Sequence, residues 1–163
     1  MGSTGTILLN GIHSSAEIDL LIQEDGIIQL IVEALVLANL DKGELNAHLD
    51  KLIGNNTQNV PMVLMIYGNS IHPVNTWKKI RDYLCTEYRE ETCNSKIQIE
   101  PFHRFSDSPF YLHDEYYKVR PLAEHALTTY ISHPGGEKLP LFILFADVGK
   151  RGHFDVSVHA RQK

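Results

Sequence analysis

The apolar residues of this chain fall into short runs separated by polar loops. Residues 60–67 (VPMVLMIY) and 141–145 (LFILF) are continuous apolar runs, the mark of strands covered on both faces. Residues 6–10 (TILLN) form a shorter strand pattern that stops at Gly11. Residues 96–102 (KIQIEPF) alternate apolar and polar, which predicts a strand nearer an edge. Pro101 also argues against a central ladder position there. Residues 153–159 (HFDVSVH) alternate strictly. They follow 141–145 across the glycine-bearing turn at 147–152, and that closeness predicts an antiparallel hairpin.

Three stretches read as helices. Residues 27–40 are the most apolar part of the chain, interrupted only by Gln29, Glu33 and Asn39. Their length favours a helix over a strand, and apolar character all round predicts burial on more than one side. The rival role for this segment is a subunit interface, through which a homo-oligomer would form. Residues 43–53 carry Leu45, Leu49, Leu52 and Ile53 at helical spacing and end at Gly54-Asn55-Asn56. Residues 77–91 place Trp77, Ile80 and Leu84 on one stripe, with Asn75 or Thr76 as cap. A further helix is expected to end near Ser132, with Pro121 in its first turn.

Strands alternating with helices imply parallel pairing through right-handed crossovers. The expected fold is therefore a single α/β domain over residues 1–163. It would be a three-layer, Rossmann-like or flavodoxin-like, mostly parallel sheet of about five strands, ending in the C-terminal antiparallel hairpin.

Composition narrows the function classes. A hydrophobic fraction of 43% with 21% charged residues is ordinary for a globular chain. The net charge of −5 and the lack of a dense basic run remove the usual footprint of nucleic-acid binding. No segment reaches the ~18 apolar residues of a membrane span, and the N-terminus lacks a signal-peptide pattern. Met1-Gly2-Ser3-Thr4-Gly5-Thr6 satisfies the loose myristoylation pattern, although a flexible start or a cloning remnant is the simpler reading. Cys85 and Cys93 have neither zinc-finger nor disulfide-framework spacing. A reducing, cytoplasmic setting is expected.

Candidate chemistry lies in the loops after the strands, because open parallel sheets bind ligands at the carboxyl ends of their strands. Those loops contain Gly11 and His13, then Gly68-Asn69-Ser70-Ile71-His72, then His103-Arg104, then Asp147 with Lys150, Arg151 and His153. Ser70 stands between a buried strand and a helix, the context of a nucleophile elbow, though His72 replaces the second Gly of that motif. In this reading Ser70 is nucleophile or positioner, His72 and His153 are acid–base groups and Asp147 orients them. Gly11, His13, Gly68, Asn69, His103, Arg104, Lys150 and Arg151 would hold the ligand, the glycines by allowing close backbone approach and the cations by pairing an anion. No Walker or G-x-G-x-x-G pattern marks a nucleotide, and no cofactor is identified. His153 and Asp155 share a strand face, but a third ligand would have to come from another loop, so no metal site is assigned. Asp114-Glu115-Tyr116-Tyr117-Lys118 is read as a helix start rather than as a nuclease acidic–Lys signature.

Two resemblances bear on the alternatives. The run 141–145 followed by Gly152-His153-Phe154-Asp155 resembles the end of an ovarian-tumour-type cysteine protease, and Asp25-Gly26 is similar to that family's Asp-Gly-Asn-Cys start. Ile27-Ile28 stand where Asn-Cys would be, so the resemblance implies an inactive relative. Signalling domains of the TIR and SEFIR type share a small flavodoxin-like sheet, which is analogy of fold alone.

The leading expectation is a domain that binds, and hydrolyses, a small polar or phosphorylated, nucleotide-like ligand at the carboxyl edge of its sheet. The alternative is a non-catalytic protein-interaction module presenting the aromatics between Phe102 and Tyr117.

Overall fold

The computed structural model describes residues 5–9, 19–88, 97–105, 125–132 and 135–148. In chain order its elements are β1 (Gly5–Leu9), β2 (Leu20–Glu24), β3 (Ile27–Leu37), α1 (Lys42–Gly54), β4 (Met62–Gly68), α2 (Pro73–Asp82), β5 (Gln98–Ile99), β6 (His103–Arg104), β7 (Ala126–Ser132) and β8 (Lys138–Asp147). A π-helical turn over Tyr83–Glu87 continues α2.

The strands form one mixed sheet in the order β1-β2-β3-β4-β8-β7-β5, with β6 also paired to β7. Only the centre is parallel, β4 lying between β3 and β8. Both flanks are antiparallel. The sheet is thus mixed α/β rather than mostly parallel.

The largest departure from the sequence pattern is residues 27–40, which form strand β3 rather than a helix. Asp25 and Gly26 both have positive φ, 51° and 79°. They make a two-residue hairpin turn of the kind whose twist matches its flanking strands. β2 and β3 pair antiparallel across it. Four β-branched residues in the first six of β3 (Ile27, Ile28, Ile31, Val32) favour the extended state, and flanking strands on both sides explain its apolar length. The segment expected to mediate oligomerisation is therefore an interior strand. Asp19 caps its ladder where β2 begins, its carboxylate accepting from the Ala34 amide at 2.7 Å.

Residues 126–132 are likewise a strand where a helix end was expected. Their alternating residues are buried on both sides, so β-branched Thr128, Thr129 and Ile131 outweigh the apparent helical register. The expected hairpin between 141–145 and 153–159 is also replaced. β8 has β4 along one edge and β7 along the other, so neither edge is open to a further strand. Residues 153–159 lie outside the described residues. Pro101 follows β5, so the expected edge strand at 96–102 is realised only as that short piece, and β6 lies beyond it in residues expected to be loop.

The helices match the pattern more closely. In α1, Asp41 caps the N-terminus by accepting from the Glu44 amide at 3.0 Å, and Leu45, Leu49, Leu52 and Ile53 are buried. α2 begins earlier than expected. His72 is its N-cap residue without a side-chain cap bond, and Pro73 opens the helix where its missing N–H costs nothing.

Both helices pack on the same face of the sheet. That face presents Ile31, Glu33, Leu35 and Leu37 of β3, Met62, Leu64 and Ile66 of β4, Leu139, Leu141, Ile143 and Phe145 of β8, and Leu127 and Ile131 of β7, all buried. The β3–α1–β4 and β4–α2–β5 connections advance in one direction across the sheet. Right-handed crossovers in one direction put their helices on one side. Among the described residues this gives two layers, not the three of a doubly wound fold.

Glu33 is fully buried beneath α1. Its Oε1 accepts from Lys51 Nζ at 2.6 Å and lies 2.8 Å from His48 Nδ1, and its Oε2 has no partner. Burying a carboxylate is costly, and the two α1 side chains offset that cost only while they stay in place. Glu33→Ala is expected to destabilise the domain by about 3 kcal/mol in urea unfolding. Replacing Glu33 by Leu together with Lys51 by Met should cost clearly less, and equal losses would show that the charge pair is irrelevant.

Gly68 ends β4 against the ring of Phe145. A Cβ at this position would lie 2.2 Å from Phe145 Cζ. Phe145 stacks on Trp77 of α2 with centroids 5.3 Å apart, so the ring could retreat only by disturbing that contact. Gly68→Ala is expected to lower stability by about 1–3 kcal/mol through overpacking, read as a shift in denaturation midpoint at unchanged slope.

Candidate functional site at the carboxyl edge

The parallel centre brings the ends of β3, β4 and β8 to one edge. Asn69 N donates to Leu37 O at 2.9 Å, and Val148 N donates to Gly68 O at 3.0 Å. These bonds tie the three strand exits together. In the loop that follows, Ser70 Oγ accepts from the His72 amide at 3.0 Å, a side-chain turn that sets up the start of α2.

A cleft of about 460 Å³ opens here, lined by Ala38 and Asn39 after β3, Ser70 and His72 before α2, and Asn75, Thr76, Lys78, Lys79 and Asp82 on α2. Lys79 Nζ donates to Asn39 Oδ1 at 3.2 Å across the cleft. The acid on its wall, Asp82, accepts from the neighbouring Arg81 at 3.3 Å. α2 has no acidic residue in its first turn. The cleft thus runs along α2 from its start, where the helix dipole favours an anion, past Lys78 and Lys79 to Asp82.

Of the residues expected to share a site, Gly68, Asn69, Ser70, His72 and Asp147 gather at this edge, Asp147 standing opposite Gly68 in register. Ser70 and His72 line the cleft itself. The Ser70 oxygen is engaged by a backbone amide, which suits a positioning role. His103 and Arg104 do not join them. They sit on β6, and His103 is level, through Thr128 and Phe142, with Val63 rather than with Gly68. That places His103 roughly 20 Å from Gly68, across β8 and β7 and part-way down the sheet. Gly11, His13, Lys150, Arg151 and His153 lie outside the described residues.

Lys78, Lys79 and Asn75 were not among the expected site residues. Their signal was available: with the helix start moved from Trp77 back to Pro73, its first turns face the loop after β4. Glu33 was missed too. Its signal is a lone acid in a β-branched run, in step with Ile31 and Leu35, opposite a helix carrying His48 and Lys51 three apart.

Of the aromatics proposed as a partner face, Phe102 is buried and Phe105 is half-buried on the sheet face away from the helices. Phe102 is buried against the Tyr88 ring, and Phe105 packs edge-on to Phe142. Phe110, Tyr111, Tyr116 and Tyr117 lie outside the described residues. Asp25-Gly26, which resembled a protease start before a helix, is a hairpin turn. The other part of that resemblance, 152–155, lies outside. Among the described residues, no group of three His, Cys, Asp or Glu side chains is gathered to hold a metal, and no helix is long and apolar enough to cross a membrane. Compared with protein-family models, curated proteins and solved structures, the chain has no match in any of the three.

A second cleft of about 350 Å³ lies between the π-helical turn and β5, lined by Leu84, Cys85, Tyr88, Ile99, Glu100, Pro101 and Phe102. Burial pushes the Cys85 thiol above its ordinary value, with Arg81 and Arg104 pulling against that and Asp82 adding to it. A raised pKa keeps the thiol protonated at neutral pH, and the thiolate is the nucleophile. In a Cys93→Ser background, iodoacetamide should therefore alkylate Cys85 more slowly in the native protein than in urea at pH 7. The gap should narrow as pH rises above the ordinary thiol pKa. Equal rates at neutral pH would contradict this reading of Cys85.

Proposed function

We propose that the cleft at the carboxyl ends of β3 and β4 binds a small phosphorylated or otherwise anionic polar ligand. The observation that carries the reading is the composition of the cleft: Ser70 and Asn75 lie at the start of α2, Lys78 and Lys79 line it further along the helix, and Asp82 is held by Arg81. Two ammonium groups and a helix dipole favour the same sign of charge. The likeness to a Rossmann-like sheet is confined to the parallel β3-β4-β8 centre, and the cleft at its strand ends is where such a sheet would bind a ligand.

Hydrolysis is the second part of the proposal. In it, His72 is the acid–base group at the mouth of the cleft, Ser70 positions the loop, and Asp147 at the adjoining strand end is the orienter. His72 is exposed, so a ligand in the cleft would have direct access to its ring.

Inorganic phosphate, pyrophosphate and nucleoside mono- and diphosphates are the probes. At least one is expected to raise the melting temperature in proportion to the logarithm of its concentration. Lys78→Ala and Lys79→Ala should each weaken its binding about tenfold, the effect of losing one charge-assisted contact. If no phosphorylated probe shifts the melting temperature, the cleft is not an anion site. If binding survives both lysine substitutions, the ligand lies elsewhere.

A further inference from the structure

The exposed hydrophobic side chains of this protein are not scattered. Among the described residues, the large ones left exposed are Val36, Tyr67, Ile71, Val74 and Val148, all at the carboxyl edge, and Ile27, which lies at the opposite end of β3 beside the hairpin turn. Single exposed hydrophobes are normal, but a concentration of them at one place marks an interaction surface. Val36 and Tyr67 stand side by side in register at the ends of β3 and β4. Ile71 is 89% exposed in the loop after β4, and Val74 is 72% exposed in the first turn of α2. Val74 and Lys78 are four apart on α2 and therefore share a helix face. The aliphatic tip thus passes directly into Lys78, with Lys79 next to it in the chain.

The chemistry of this edge selects one kind of partner. Protein interfaces are enriched in aromatic residues, Met and Arg and depleted in Lys. Here the most exposed residues are aliphatic and the cations beside them are lysines. Aliphatic side chains that enter the acyl boundary, with lysines at the level of the headgroups, are the pattern of peripheral attachment to an anionic bilayer. We propose that this edge docks reversibly on an anionic lipid surface, Ile71 and Val74 entering the headgroup–acyl boundary while Lys78 and Lys79 meet lipid phosphates. The cleft proposed above would then open toward the membrane. The docking does not require that the cleft bind a free ligand, though both use the same lysines.

The test is co-sedimentation of the full chain with vesicles of phosphatidylcholine containing phosphatidylserine, against phosphatidylcholine alone. Binding is expected to the anionic vesicles and to weaken with added salt. The double substitution Ile71→Ser, Val74→Ser should weaken it at least about tenfold, and Lys78→Ala and Lys79→Ala about fivefold each. Ile27→Ser, an equally simple loss of an exposed hydrophobe at the far end, should bind like the wild type. These surface substitutions should leave the circular dichroism spectrum unchanged, which separates lost docking from lost folding. The proposal is overturned by absence of binding to anionic vesicles, by equal binding to both vesicle types, or by an Ile27→Ser loss as large as that of the double variant. Calorimetry with inorganic phosphate on the same protein separates the two readings of the edge. Phosphate binding without vesicle binding ends the docking proposal and leaves the ligand reading standing, whereas vesicle binding without phosphate binding supports docking and counts against the ligand reading. A wild-type dimer that the double variant dissolves, with no vesicle binding, would make this edge a contact between copies and would also end the proposal.

Discussion

Burial of one face of the parallel strands β3, β4 and β8 beneath α1 and α2 is the constraint on which the other features depend. Apart from Glu33, the three strands offer an apolar surface from Ile31 and Met62 to Phe145, and it is stable only where helices remove it from water. The closest approach occurs where Gly68 ends β4. The absent Cβ admits the Phe145 ring, and the ring in turn seats Trp77 of α2. The position of α2 over the strand ends, and with it the cleft, follows from that contact. A tighter or looser fit at Gly68 would move the lysines of α2 relative to Ser70 and Asn39.

Glu33 sets a second condition on the same layer. A carboxylate at full burial needs compensation, and among the described residues it comes from α1, through Lys51 and His48. A hydrocarbon at position 33 would satisfy the core without tying α1 to one register. Glu33 therefore contributes to the placing of the helix more than to the stability of the sheet, the use of buried charge best supported in other proteins. The two contacts divide the work: Gly68 with Phe145 seats α2, and Glu33 with Lys51 seats α1.

The legible parts of the fold were those whose pattern belongs to one element. Leu45, Leu49, Leu52 and Ile53 repeat at a helical period and cannot line one face of a strand, and α1 forms where they predict it. The runs 60–67 and 141–145 are too short for helices and became β4 and β8. The run 27–40 fails as a guide because a strand flanked by strands on both sides and a buried helix are both apolar throughout, so periodicity cannot separate them. The deciding evidence was local: Asp25-Gly26 between two apolar runs is a hairpin signal that outranks length. Once β3 is a strand, the sheet gains an antiparallel flank and the number of crossovers falls, which is why the helices lie on one face. The candidate site was legible as a place, because Gly68, Ser70, His72 and Asp147 are defined by the strand ends themselves. His103 was misplaced for the same reason in reverse, since the pattern shows where a strand stops but not how far it is shifted against its neighbours.

The character of the carboxyl edge follows from where the helical layer stops. α2 starts at the strand ends and runs back over the sheet, so it covers the even positions Met62, Leu64 and Ile66 of β4 while Tyr67 faces the other way. Alternation along β3 does the same, burying Leu35 and Leu37 and leaving Val36 outside. Among the described residues, Val36 and Tyr67 thus stay exposed although their neighbours in the same strands are buried. Ile71 and Val74 extend the apolar rim onto the loop and the helix start. The proposed docking draws on both features of this rim, its exposed hydrophobes and the lysines beside them.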